Sequence, residues 1–449
     1  MIVTIPQSLE RFCERIGSGL TAGQRKVLPV LLAGLLLAKG RRSQAALGRT
    51  VVTEPRHRAS VSKLLRRGRF RTRELVDEAV QAEIDRQPGP RDGSRRLWFV
   101  VIDGTSTKRG GFTKIANARQ YKVSRRKKKG GTPSTKSHTF VMGLVLTERG
   151  VRIPLTRRTW RTKKYCGTSG KKYLKQTELA ELMLRSLRLP ADVDVVVLVD
   201  EYFEGQWLHE VCGELGYTYI VPVKSDRCFI DEDGNRSHLH ARGRSLPESE
   251  GWRKLTLLRG SEETARYRRY SVRRTRAKRH YRFFHEVSHV AKLGRAGVVY
   301  SWKKPSYRPR RNDSAESFKV LVTNSLSLSG ARIVEYYELR WQIELWFREL
   351  KSHLGLADYS GTDFEAFERH VDLVMLSFLF LERRRCELRA AARSRRRCGE
   401  LDVMRTTGLQ NELAIEVMRD DLSYLRSLLL TPGGRNRILH LYSQMRKAG

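Results

Sequence analysis

The sequence predicts an α/β protein whose layered core is interrupted by a mainly β insertion and flanked by helical N- and C-terminal regions. Continuous apolar runs, typical of buried strands, alternate with helical patterns over residues 95–224. Short strand-like runs separated by glycines and charged turns follow, and apolar residues recur at helical spacing at both ends of the chain. We therefore divide the chain into a helical domain (1–90), a first core part (95–224), the insertion (225–314), a second core part (315–385) and a helical C-terminal region (386–449).

The charge of the chain indicates a polyanionic partner. Its 449 residues include 88 Lys and Arg against 48 Asp and Glu, which gives a formal net charge of +40. The basic residues are spread through segments that also carry apolar periodicity, whereas a disordered basic tail concentrates its charge in blocks. With hydrophobic residues at 40%, the chain has enough apolar side chains to build a core. Double-stranded DNA is the first partner to expect.

Several other classes of protein are excluded by the composition. The six cysteines never approach a Cys-x2-Cys spacing, which argues against a zinc ribbon and a disulfide framework. The longest apolar runs, residues 27–38 and 371–381, are well short of the roughly 18 residues that a membrane span needs. No glycine-rich Walker loop supports an ATP-driven motor. We expect a cytoplasmic, nucleoid-associated protein with no membrane partner.

The first 90 residues are predicted to contain a helix-turn-helix. Ser43 is placed to cap a short helix over 44–48, and Ser60 is placed to open a second short helix over 61–65. A basic second helix after a capped first helix is typical of entry into the DNA major groove. A solvated basic helical hairpin would show the same pattern. The cations expected to contact DNA are Arg58, Lys63, Arg66 and Arg67.

Two predicted strands of the core end in an acid. The apolar run 97–102 ends at Asp103, and the run 193–199 ends at Asp200. Either acid alone could simply start a turn, and Glu201 is a rival for the second position. The other core elements predicted here are strands over 139–146 and 151–155, a helix over 173–187, a helix over 206–215 and a strand over 217–223.

The pattern changes twice more before the C terminus. The core is predicted to resume with a strand over 318–322 and a long helix that begins near Ala331. Beyond it the chain is basic and helical, and Pro432-Gly433-Gly434 breaks the last part into two helices. The strand-like runs of the insertion cover 252–258, 267–272, 280–290 and 298–302.

The long predicted helix carries a polar face. At about 100° per residue, Tyr337, Arg340, Glu344 and Lys351 fall within roughly 60° of one another, opposite an apolar face. Taken alone, that face could be a solvated stripe with one weak ion pair. The two acid-tipped strands upstream favour a functional interpretation instead, because three carboxylates are the ligands that a pair of hard divalent ions needs.

The pattern Tyr-x2-Arg-x3-Glu-x6-Lys from Tyr337 to Lys351 is similar to the signature of the insertion-sequence transposases of family four, a group of DDE transposases. The resemblance covers roughly residues 95–385. It implies an RNase H-like core and a catalytic triad of Asp103, Asp200 and Glu344 that binds two Mg²⁺ (or Mn²⁺) ions. Such ions activate an oxygen nucleophile and stabilise the leaving oxygen.

The resemblance also implies the substrate and its contacts. The protein is expected to bind the terminal inverted repeats of its element, cleave there and join the 3′ ends to target DNA, as a homodimer or higher oligomer. Tyr337, Arg340 and Lys351 would hold phosphates, and Trp302, beside the basic and aromatic tract 266–281, would stack on an extruded base. Alternatively, Trp302 packs the insertion. The rival functions are a catalytically silent DNA-binding regulator and a structure-selective nuclease without strand transfer.

Overall fold

The computed structural model describes most of the chain. The described residues are 2–67, 69–90, 92–109, 115–122, 134–247, 251–268, 271–303, 318–394, 401 and 404–448. Within these ranges the side chains of 67, 120–122, 134–135, 258–268, 271–278 and 446–448 are not described.

The N-terminal region is helical, as predicted. Ser43 caps the third helix, since its Oγ accepts a hydrogen bond from the Ala46 amide at 3.2 Å. The predicted start of the next helix at Ser60 is wrong. That helix begins at Arg58, where the Nδ1 of His57 accepts a hydrogen bond from the Ala59 amide at 3.2 Å. The helices are α1 (Gln7–Ile16), α2 (Ala22–Leu37), α3 (Gln44–Arg49), α4 (Arg58–Arg67) and α5 (Thr72–Asp85).

A mixed sheet of twelve described strands forms the centre of the molecule. Their order is β2-β3-β1-β5-β6-β12-β11-β10-β7-β8, with β4 paired to β3 and β9 paired to β10. The strands are β1 (Arg96–Arg109), β2 (Arg119–Lys122), β3 (Ser134–Leu146), β4 (Arg152–Thr159), β5 (Val193–Leu198), β6 (Thr218–Pro222), β7 (Cys228–Ile230), β8 (Arg236–His238), β9 (Arg253–Arg268), β10 (Ser271–Val290), β11 (Gly294–Trp302) and β12 (Phe318–Thr323). The first strand pairs in parallel with β5 and antiparallel with β3.

The first strand does not end at its acid, which corrects the prediction. Its parallel pairing with β5 stops at Val101, but its antiparallel pairing with β3 continues to Arg109. Asp103 therefore lies in the middle of the strand, opposite Met142. Beyond Asp103 burial alternates along the strand, with Thr105, Thr107 and Arg109 buried and Lys108 exposed, so the continuous apolar run ends there. Three helices accompany the core strands: α6 (Lys163–Ser169), α7 (Gln176–Arg185) and α8 (Gln206–Leu215).

The segment 225–314 is mainly β where it is described, with one short helix, α9 (Leu239–Ser245). Its strands extend the central sheet, because β11 pairs with β12 and β12 pairs with β6. A second, smaller hydrophobic cluster lies here and includes Tyr300 and Trp302. The segment thus lengthens the core sheet at one edge while building a small core of its own.

The predicted long helix near Ala331 is two helices, α10 (Gly330–Glu338) and α11 (Trp341–His353). At the junction the amides of Leu339 and Arg340 donate to carbonyls three residues back, at 3.0 Å each. These tighter bonds replace the regular α-helical pattern for one turn. The four signature residues are consequently divided between two helices and the turn that joins them.

A long buried helix connects the N-terminal region to the sheet. It is α12 (Phe364–Ala391), and it packs on α2, α4, α5 and β4. Leu28, Val61 and Ile84 of the N-terminal helices therefore share one hydrophobic cluster with Trp98 of β1. The last helices are α13 (Thr406–Leu429) and α14 (Gly434–Ala448), and Pro432-Gly433 separates them as predicted.

Candidate active site

Parallel strand register brings two acids together. Val101 of β1 is paired with Leu198 of β5 at the last step of their parallel ladder. Asp103 and Asp200 each follow two residues later, so both emerge at the same edge of the sheet. The charge of Asp200 raises the pKa of Asp103, an effect that also indicates their proximity.

Asp200 has a second structural role. Its Oδ1 accepts hydrogen bonds from the amides of Tyr202 at 3.0 Å and Phe203 at 3.3 Å, and so caps the short 3₁₀ helix Glu201–Phe203. Glu201, its rival from the sequence, is exposed. Asp200 is half-buried, and the charges of Arg340 and Glu344 both act on its carboxyl. The geometry therefore favours Asp200 as the second acid.

Arg340 joins the first and third acids. Its guanidinium donates to Asp103 Oδ2 at 3.4 Å and also donates to Glu344 Oε1. It occupies the turn between α10 and α11, while Glu344 lies in the first turn of α11. The three carboxylates are thus delivered by β1, by the end of β5 and by α11, and a single cation bridges two of them.

The carboxylates repel one another in a poorly solvated place. Burial, and next the charge of Asp200, raises the pKa of Asp103 to about 7, although Arg340 opposes the shift. Burial also raises the pKa of Asp200, again against the effect of Arg340. Carboxylate oxygens with mutual repulsion are a donor set suited to a hard divalent cation. In the described part of the chain, however, no three His, Cys, Asp or Glu side chains are grouped so as to hold a metal ion.

The other signature residues occupy different positions from those expected of one helix face. Tyr337 is only 6% exposed, and the Arg340 guanidinium lies 5.9 Å from the centroid of its ring. The phosphate contact of Tyr337 stays a prediction. Lys351 is exposed on α11, and the charge of Asp103 acts on its ammonium. Arg340 and Lys351 thus both place a cation near the acids.

One cation of the site was missed from the sequence. The Nζ of Lys319 on β12 lies 5.3 Å from the centroid of the Tyr337 ring. Burial, and next the repulsion by Arg340, lowers its pKa. The sequence contains a signal for Lys319, which is a lysine inside an otherwise apolar strand. Such a lysine indicates a functional or paired position, because a buried cation needs a partner.

The structure contradicts the base-stacking role predicted for Trp302. Its side chain is 2% exposed and contacts the rings of Trp252 and Phe318, with centroid distances of 4.8 and 4.3 Å. A ring that stacks on a base needs an open face, and both neighbours cover this one. Trp302 therefore packs the insertion, which was the alternative interpretation. Most side chains of the tract 266–281 lie outside the described residues.

The cations of the predicted recognition helix lie apart from the acids. Val61 and Leu65 form its buried face, whereas Arg58, Lys63 and Arg66 are exposed. Arg66 makes a loose ion pair with Asp363, whose separation is 3.7 Å. The side chain of Arg67 lies outside the described residues. The exposed face of α4 is thus available to a partner.

A protein family of known description is similar to the part of the chain that carries these acids. The family model described as the transposase DDE domain matches residues 95–380, well over half of the chain, and includes all three acids. A search of curated proteins gave no match. No helix in the described ranges is both long and apolar enough to cross a bilayer.

Proposed function

The chain belongs to the transposases with a DDE domain, and from this premise we propose that it cleaves DNA at the ends of a mobile element and joins the freed 3′ ends to target DNA. The observation that supports the proposal is the convergence of Asp103, Asp200 and Glu344 around Arg340. Both reactions are phosphoryl transfers, which enzymes accelerate mainly by positioning the reacting groups and stabilising the charge of the transition state.

Asp103, Asp200 and Glu344 would hold the two Mg²⁺ or Mn²⁺ ions that we propose as cofactors. When bound, such ions activate an oxygen nucleophile and stabilise the leaving oxygen. Arg340 presents a planar pair of donors that matches two oxygens of one phosphate. Tyr337, whose ring lies beside that guanidinium, would help to position it, and Lys351 would add a point charge.

We further infer that the core is RNase H-like and of the family-four type. In support, an antiparallel unit of β4, β3 and β1 is followed by the parallel strands β5 and β6. The first acid lies on the central strand of this arrangement and the second at the end of its parallel neighbour. The four-residue signature from Tyr337 to Lys351 supports the narrower assignment.

The proposed function also implies DNA partners, more than one copy of the chain and a place in the cell. The α3–α4 pair would recognise the terminal inverted repeats, and the remaining positive charge would hold duplex DNA without regard to sequence. Bringing two element ends together requires at least two copies of the chain. A protein of this kind would associate with the nucleoid in the cytoplasm.

The proposed function is tested by neutralising the acids one at a time. Asp103→Asn, Asp200→Asn and Glu344→Gln should each abolish Mn²⁺-dependent nicking of end DNA while leaving DNA binding within about twofold, because the substitutions preserve size. Glu201→Gln is the matched control, since it removes a neighbouring carboxylate that is exposed. Normal nicking by Asp200→Asn together with loss in Glu201→Gln would reassign the second acid.

Joined products separate this function from its two rivals. A silent regulator would bind end DNA but give no nicked strand. A structure-selective nuclease would nick but leave no end DNA covalently attached to a target plasmid. Appearance of that joined product with the wild-type protein, and its absence with Glu344→Gln, is the result expected of a transposase.

A further inference from the structure

A half-buried lysine lies on the sheet beside the acids. Lys319 is the single charged residue of β12, and its neighbours Phe318 and Val320 point into the smaller hydrophobic cluster. Its side chain therefore lies on the opposite face of the strand, the face of Leu321, which belongs to the main core and is covered by α10. A lysine in such a place loses hydration and needs a compensating charge.

The acids near Lys319 are held by other cations. The charge of Glu338, at the end of α10, acts on Lys319, but Arg279 of β10 forms an ion pair with this carboxylate. Glu344 also acts on Lys319, and Arg340 donates to it. No Asp or Glu among the described residues makes an ion pair with Lys319 itself. Its charge is thus left without a carboxylate partner in the described part of the protein.

Lys319 and Arg340 lie around one aromatic ring. The Nζ of Lys319 is 5.3 Å from the centroid of the Tyr337 ring, and the Cζ of Arg340 is 5.9 Å from it. Burial, and next the repulsion by Arg340, lowers the pKa of Lys319, and the charge of Lys303 acts in the same direction. Arg340 also donates to Asp103, so this concentration of positive charge adjoins the acids. An anion bound beside both cations would relieve their repulsion.

We propose that Lys319, together with Arg340, binds one backbone phosphate of the DNA strand that lies in the active site. Such a contact fixes the position of the strand without reading its sequence, because every nucleotide carries the same phosphate. The ammonium supplies a point charge, and the guanidinium supplies a planar pair of donors. The proposal rests on the proposed function, which brings a DNA strand to Asp103. It adds to the signature residues a cation that a strand of the sheet supplies.

The test combines a protein variant with a neutral phosphate. Lys319→Met removes the charge and keeps an unbranched side chain. Binding of end DNA by the full-length protein is measured without divalent metal, so that no strand is cut. Each probe carries one neutral methylphosphonate in place of a phosphate near the cut. For the wild type, one such position should weaken binding about tenfold, the effect of losing a charge-assisted contact.

The variant should respond differently at that one position. Lys319→Met should bind unmodified end DNA several-fold more weakly than the wild type, and the methylphosphonate that costs the wild type about tenfold should cost it about threefold or less. Neutral phosphates elsewhere should affect both proteins equally. The matched control is Lys292→Met. Lys292 is exposed just before β11, at the opposite end of that strand from Ser301, the partner of Lys319. Its loss should leave the wild-type profile unchanged.

Thermal unfolding separates this contact from a structural role. Because folding lowers the pKa of Lys319, its charge costs stability wherever the ammonium is protonated. Lys319→Met should therefore unfold at the wild-type Tm or above it. A Tm several degrees lower, or a methylphosphonate profile equal to that of the wild type, would overturn the proposal. The nicking assay on the acid variants is a separate measurement, so failure of this contact and failure of the proposed function give different results.

Discussion

At the scale of single residues, the contacts of Arg340 require the planar shape of a guanidinium. It donates to Asp103 and Glu344 while its guanidinium lies over the Tyr337 ring, an arrangement that a planar guanidinium allows and a single ammonium does not. Arg340→Lys should therefore lower kcat/KM for cleavage about 10- to 100-fold, the equivalent of one lost charge-assisted hydrogen bond. The affinity for DNA should change little, because the charge is kept. If this variant cleaves DNA at the wild-type rate, Arg340 acts only as an ion-pair partner of the acids.

The buried carboxyl of Glu83 predicts a pH dependence of stability. Burial raises its pKa to about 7, against the effect of Arg86 at 3.9 Å, while Glu387 and Glu382 add repulsion and Gln87 donates to it at 3.2 Å. The folded state thus holds the proton more tightly than the unfolded state. Protonation of Glu83 therefore contributes fully to the free energy of unfolding below pH 4.5. This contribution, about 3 kcal/mol at most, is lost as the pH rises through 7.

Glu83→Gln removes that titration while keeping the shape of the side chain. The variant should be more stable than the wild type at pH 8, and the difference in Tm should shrink as the pH falls to 5. Thermal unfolding at a series of pH values measures it. A difference that stays constant across this range would show that Glu83 does not take up a proton on folding.

The three acids could be picked out from the sequence, because acids that end apolar runs and a spaced signature are local features; their catalytic role stays a prediction. They did not reveal that Tyr337 is buried or that Trp302 is enclosed by Trp252 and Phe318. Whether an aromatic ring is covered depends on residues distant in the chain. The pocket lined by Arg119, Trp160, Tyr173 and Tyr202 was missed for the same reason, since four separate segments supply its walls.

At the scale of elements, α12 is tied to the sheet by buried charge. Arg152 of β4 donates to Glu382 of α12 at 2.6 Å and to Glu349 of α11 at 3.0 Å, and Glu382 has no exposed surface. Glu382→Ala should reduce the free energy of unfolding by about 3–5 kcal/mol, because Arg152, which keeps only its contact with Glu349, and Arg385 both lose this buried carboxylate. Chemical denaturation measures the loss.

An exposed ion pair provides the control for that experiment. Glu335 and Arg332 on α10 approach to 2.8 Å, but 45% and 59% of their side chains are exposed. Glu335→Ala should cost less than about 1 kcal/mol. Equal losses for the two variants would mean that burial does not determine the contribution of these pairs.

The exposed cations of α4 are predicted to recognise the ends of the element. Combined replacement of Arg58, Lys63 and Arg66 by alanine should remove the preference for element-end DNA over random duplex. The slope of log K against log salt should flatten by up to about 3, at roughly 0.9 per phosphate contact. Residual discrimination equal to that of the wild type would place end recognition elsewhere.

A matched loss of charge separates recognition from general attraction. Arg426, Arg435 and Arg437 are exposed on α13 and α14, and their replacement by alanine removes the same charge. This control should weaken all DNA binding slightly and keep the preference for ends. Deletion of the whole N-terminal region is a poorer test, because α2 and α5 share the core of α12.

Most element types followed from hydrophobic periodicity, and the exceptions have physical causes. The helix over Gln206–Leu215 was predicted to the residue, since its apolar spacing and Gly216 mark both limits. The break at Arg340 carries no glycine or proline, so no residue type in the sequence marks it. The extension of β1 beyond Asp103 was missed because one-sided pairing needs no apolar run.

At the scale of the whole molecule, one apolar surface lacks a partner among the described residues. Ile415, Met418, Leu422, Leu425 and Leu429 follow the alternating three- and four-residue spacing of a coiled-coil seam along α13. Met418 is 64% exposed and Leu422 is 65% exposed, while Leu413 and Val417 on the opposite face are buried. Large apolar side chains concentrated in one stripe indicate an interface.

We propose that this stripe contacts the same stripe of a second copy. A heptad seam is self-complementary, which is what a twofold-symmetric contact requires. The long-range repulsion between two chains of +40 would be relieved by the DNA that each one binds. The pairing of element ends would then bring together the two copies that the proposed function needs.

Met418→Glu combined with Leu422→Glu should prevent two copies from associating through this stripe, because two carboxylates in each copy would enter an apolar seam. Light scattering of the protein with end DNA measures the mass of the complex. The control pair is Leu182→Glu with Leu326→Glu, which adds the same charge at apolar residues of 43% and 45% exposure away from α13. If the control dissociates the complex equally, the effect is electrostatic and not specific to the seam. If neither variant does so, copies of the chain associate through another surface, and the stripe must have a different partner.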